Sequence, residues 1–103
     1  MPNEVEFYRV CQEGRVRLSE LRTDDGRLRA IVFINRTIEM APQFGIDLPH
    51  ISKITELPKN VDTDRVSESL FIVDNALEDI KARNIFEIDT QLKRDTIYLD
   101  DTW

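Results

Sequence analysis

Cysteine occurs once in this chain, at Cys11, histidine once, at His50, and glycine only three times. One thiol cannot close an internal disulfide, and one Cys with one His is too few ligands for a zinc site. No apolar run reaches the roughly 18 residues of a membrane span. The opening residues Asn3, Glu4 and Glu6 lack the basic start and apolar stretch of a secretory signal. Together these absences lead to the expectation of a cytoplasmic protein in a reducing compartment, with no membrane partner. Asn35-Arg36-Thr37 matches the glycosylation pattern by letter, but without an export signal the match reads as chance.

Catalytic signatures are also scarce. Cys11 lies beside a turn signal and His50 in a Pro-rich stretch, with no motif joining them as nucleophile and base. The acid pairs Asp24-Asp25, Glu78-Asp79 and Asp100-Asp101 suit caps, helix surfaces and tails, and none follows a calcium-loop pattern. No catalytic residue, metal site or cofactor is therefore assigned, and the chain is expected not to be an enzyme.

What is present fits one domain, residues 1–103: the chain is 41% apolar and 33% charged, within the globular range. The formal charge of -6 is uneven. Residues 1–36 hold seven arginines against six acids, whereas 37–103 hold seven basic residues against fourteen acids. Such a balance repels nucleic acid at long range and steers the chain toward basic partners.

The pattern along the chain predicts an α+β fold. Val5, Phe7, Tyr8 and Val10 read as a first strand ending at Gly14, residues 15–22 as a second, and Thr23-Asp24-Asp25-Gly26 as a hairpin turn. Ile31-Val32-Phe33-Ile34, contiguous and partly β-branched, make 27–35 the third strand of an antiparallel meander. A helix competes there, since Leu28, Ile31, Ile34, Ile38 and Ala41 recur near helical spacing. Pro42, Gly45 and Pro49 make 36–49 a loop with at most one helical turn, and 51–57 reads as a fourth strand.

Val66, Leu70, Val73, Leu77 and Ile80 repeat at spacings of four and three, which predicts a long helix over about 64–83 that covers one face of the sheet. Residues 85–89 and 96–100 read as a C-terminal β-hairpin, and 100–103 as a mobile acidic tail ending in Trp103.

Two constellations stand out. On the predicted helix, Phe71 projects about 140° from the apolar stripe, among carboxylates. Phe71 with Glu68, Asp74 and Glu78 thus forms a candidate partner-binding face, an apolar anchor with an acidic rim. The twin sequences Gly14-Arg15-Val16-Arg17 and Gly26-Arg27-Leu28-Arg29 make Arg15, Arg17, Arg27 and Arg29 an alternative anion-binding set. In the meander register Glu20 opposes Arg29, and the two arginine pairs fall on opposite sheet faces, which weakens that alternative.

The leading expectation is a small non-catalytic protein-binding domain of the inhibitor, immunity, antitoxin or viral antagonist type. It would present its acidic helix face to a basic partner, with homo-oligomer formation through Phe71 or a sheet edge as a further option. A nucleotide or single-stranded nucleic-acid module using the meander arginines is the alternative, disfavoured by charge. A small enzyme is the least favoured reading.

Overall fold

The computed structural model describes residues 3–47 and 56–88. Of these, 78% are helical and none lies in a strand, so the expected meander is corrected to a helical fold. Three helices form it: α1 (Glu4–Glu13), α2 (Asp24–Met40) and α3 (Thr63–Arg83). Short 3₁₀ turns at Leu18–Arg22 and Ala41–Phe44 precede and follow α2, and residues 85–88 are helical. Of the strand expected over 51–57, residues 56 and 57 are described and lie in no strand, and the first strand of the expected C-terminal hairpin, 85–89, is corrected to helix over 85–88; residues 51–55, the hairpin strand 96–100, the acidic tail and His50 lie outside the described residues.

Each correction has a local cause. In α1, Asn3 Oδ1 accepts from the Glu6 N–H at 3.2 Å, satisfying an amide that the first helical turn leaves free. Phe7, Tyr8 and Cys11 then fall on one buried face, while Arg9 pairs with Glu6 and Glu13 on the outside. The same apolar positions read as near-alternation over seven residues, too short a run to separate the two periods.

Thr23-Asp24-Asp25-Gly26 starts a helix instead of turning a hairpin. Thr23 Oγ1 accepts from the Gly26 N–H at 3.0 Å, and Asp24 and Asp25 occupy the first turn, where the helix dipole favours acids. Residues that make good turns also make good N-caps, for the same reason: short oxygen-bearing side chains bond nearby amides. Beyond this cap the 27–35 run is helical. Ala30, Ile31, Phe33, Ile34 and Thr37 are buried, and Val32, the one member of the contiguous apolar run left outside, is 64% exposed.

The expected 36–49 loop is likewise shorter than predicted. α2 continues to Met40, and Pro42 sits in the first turn of the following 3₁₀ segment, where its missing N–H costs nothing. Gly45 closes that segment at φ 72°, a left-handed position suited to glycine. Phe44 tilts against Phe7 at 5.8 Å between ring centres, tying the end of α2 to α1.

α3 begins at Asp62, whose carboxylate accepts from the Arg65 N–H at 2.8 Å. Its stripe Val66, Leu70, Val73, Leu77 and Ile80 is wholly buried against α1 and α2. Two side chains on α2 pin the segment leading into it. Asn35 exchanges two hydrogen bonds with the backbone of Leu57, at 3.0 and 2.8 Å, and Arg27 donates to the carbonyls of Lys59 and Val61. At the far end, Glu4 accepts from Arg83 and Asn84 at 2.7 and 2.9 Å, clamping the start of α1 to the end of α3.

Candidate functional site

α3 determines the candidate binding face, because its apolar stripe has no room to rotate. With Leu70, Val73 and Leu77 buried inward, Phe71 must face out, and it is 57% exposed. Glu68, Asn75 and Glu78, at helical spacings of three, four and seven from Phe71, are exposed around it.

The four residues of the face are not equivalent. Arg15 reaches across from the segment after α1, its Nε 3.1 Å from Asp74 Oδ1 and its Nη2 2.9 Å from Glu78 Oε1. Burial disfavours the charge on Arg15, yet the bond to Glu78 and the fields of Asp74 and Glu78 outweigh it and raise its pKa further. Asp74 and Glu78 are therefore partly neutralised within the chain. Glu68 forms no ion pair among the described residues and stands exposed beside Phe71.

The arginine set is dispersed by the helical fold. Arg15 is ion-paired to Asp74 and Glu78 of α3, Arg27 binds backbone carbonyls, and Arg29 pairs with Glu20 at 3.0 Å and Asp25 at 3.1 Å. The Arg29–Glu20 pairing expected across a hairpin is thus made between α2 and the preceding 3₁₀ turn, without any sheet. Glu20 also accepts from the Arg17 N–H at 2.7 Å, and these two bonds, that to Arg17 first, hold its carboxyl below the usual range. Among the described residues the Arg17 guanidinium alone of the four makes neither an ion pair nor a bond to a backbone carbonyl. The four do not converge on one point.

Neither Gly14 nor Gly26 has the positive φ that a hairpin turn would require. Gly14 caps α1 at φ -114°. Gly26 is needed for close approach: a Cβ there would lie 1.7 Å from the Glu20 carbonyl oxygen.

Cys11 is 2% exposed, and burial pushes its thiol up to about 11, against smaller opposing effects of Thr37, Arg36 and Arg15. At neutral pH it is a protonated core side chain, the wrong state for a nucleophile. No group of three or more His, Cys, Asp or Glu able to hold a metal occurs among the described residues, and none of their helices is long and apolar enough to cross a membrane.

One feature escaped the sequence reading. Between α1, the 14–16 segment and α2 lies an open groove of about 430 Å³, lined by Val10, Leu28, Val32, Phe33 and Met40, with the charged side chains Glu13, Arg15, Arg29 and Arg36 on its walls. Leu28, Val32, Arg36 and Met40 follow one another at spacings of four, a single row along α2. That row is visible in the sequence only once 27–40 is read as a helix.

Among the described residues the helices thus present an exposed phenylalanine, Phe71, and an open groove with a largely apolar floor. The chain matches no protein-family model, no curated protein and no solved structure.

Proposed function

We propose that this chain is a non-catalytic protein-binding domain that docks Phe71 and the acidic ridge around it on a partner with a basic surface. The observation that carries the reading is Phe71 itself, a large aromatic held outward at mid-helix by a buried stripe beneath it. A rigid aromatic with few rotamers is the kind of residue that anchors interfaces, and Glu68 beside it, without an ion pair among the described residues, supplies attraction to lysine or arginine on the partner. The net charge of -6 supports the same choice of partner, since it accelerates encounter with basic surfaces. Glu68 and Phe71 carry the contact, and Asp74 and Glu78 contribute the oxygens that Arg15 leaves free. A single buried free thiol suits a reducing, cytoplasmic setting.

Affinity capture from native lysate with three baits tests this: wild type, Phe71→Ala and Glu68→Lys. Both positions are exposed, so both variants keep the fold. A basic protein retained by wild type and lost from both variants is the expected result. Equal recovery on all three baits would overturn the acidic-face reading.

A further inference from the structure

The groove beside α2 has the complementary chemistry to the ridge on α3. Its row Leu28, Val32, Arg36 and Met40 is apolar except for Arg36, and Val32 is more exposed than Phe71. Arg36 forms no ion pair or hydrogen bond among the described residues. An occupant must therefore bring an apolar anchor with a carboxylate about one helical turn away. Phe71 with Glu68, three residues before it, is such an element. We propose that the groove receives Phe71 of a second copy of this chain, with Glu68 of that copy paired to Arg36.

The two surfaces adjoin, which permits the exchange to be reciprocal. Arg15 lines the groove and at the same time bonds Asp74 and Glu78. Glu78 lies on the same row of α3 as Phe71, seven residues and about 10 Å along the axis. Groove and ridge thus meet at Arg15, and a two-fold axis near that residue places each Phe71 over the other copy's groove. The contact is then isologous and closes at two copies, giving a dimer instead of a filament. Each Phe side chain buries about 150–250 Å², so two anchors with their flanks stay at the small end of specific interfaces. Association is accordingly weak and reversible, with a Kd on the order of 10–100 µM. Because both uses draw on Phe71, self-association and partner binding exclude each other.

Sedimentation equilibrium on the full chain, up to about 0.5 mM to bracket that range, provides the test. Phe71→Ala removes the anchor and Val32→Glu blocks the groove, and both are surface changes whose folding is checked by circular dichroism. Each alone is expected to weaken the dimer at least about tenfold. An equimolar mixture of the two retains one intact contact, the Phe71 of the Val32→Glu chain in the groove of the Phe71→Ala chain. The mixture therefore associates more tightly than either variant alone. Glu68→Arg and Arg36→Glu chains likewise associate with each other more tightly than either does with itself.

A wild type that stays monomeric throughout overturns the proposal. So does a dimer that survives Val32→Glu, or a mixture of Phe71→Ala and Val32→Glu that shows no gain. The two readings separate at Val32→Glu, which abolishes self-association and leaves capture of a basic partner intact.

Discussion

Replacing Gly26 by alanine should destabilise the chain although it lies inside a helix, where alanine normally adds about 1 kcal/mol over glycine. The reason is the approach of the 3₁₀ turn to the first turn of α2. A Cβ at Gly26 would sit 1.7 Å from the Glu20 carbonyl oxygen and 2.7 Å from its carbon, both backbone atoms that no rotamer change can move. An ordinary contact needs roughly twice the shorter distance, so α2 and the turn must separate by on the order of 1.5 Å. That movement would break the Thr23 cap and the Glu20–Arg29 pair with it. Overpacking of this kind costs typically about 1–3 kcal/mol, and a lost cap about 1 more. After the propensity gain, a net loss of about 1–3 kcal/mol remains. Gly14→Ala is the control: its nearest new neighbour is the mobile Arg36 guanidinium at 3.6 Å, so it should be neutral or slightly stabilising. Urea unfolding followed by circular dichroism measures both. A Gly26→Ala chain as stable as wild type would refute the close approach.

Asn35→Ala removes both hydrogen bonds to the Leu57 backbone and should cost about 1–3 kcal/mol in the same unfolding assay, with an unchanged m-value. Cys11 in the native protein should react with a thiol reagent at pH 8 at least about a hundredfold more slowly than in denaturant, because reaction waits on opening of the core; labelling within seconds would contradict its placement. The Glu4 carboxyl is held below its ordinary 4.5, by Arg83 first and then Asn84, so the fold gains stability above that value and loses it as pH falls toward the lower folded-state pKa. Glu4→Gln should accordingly flatten the acid limb of the stability profile, while Glu6 and Glu20, also lowered, continue to contribute slopes of the same sign.

α3 was legible because its stripe runs through five apolar residues over fifteen positions, long enough for the helical period to be unambiguous. Its outward Phe71 follows from that period alone. The first third of the chain was not legible for two physical reasons. α1 is only ten residues long, so its pattern satisfies either period. In α2 the contiguous Ile31-Val32-Phe33-Ile34 resembles a buried strand, because one exposed valine hides the stripe. Thr23, Asp24 and Asp25 then lent themselves equally to a turn and to a cap. Long-range pairings such as Arg15 with Asp74 and Glu78, fifty-nine and sixty-three residues apart, leave no local signal, and with them went the division of the acidic ridge into bonded and free members. The groove on α2 was lost with the helix that builds it.

Whether Phe71 docks on a basic protein can be read from photo-crosslinking with p-benzoylphenylalanine in place of Phe71, in cells that express the chain. A discrete adduct to a basic protein is expected, abolished when Glu68→Lys is introduced into the same chain. Adducts only between two copies would leave the self-association standing and remove the partner. No adduct at position 71, with the probe shown to be incorporated and the chain folded, would contradict both.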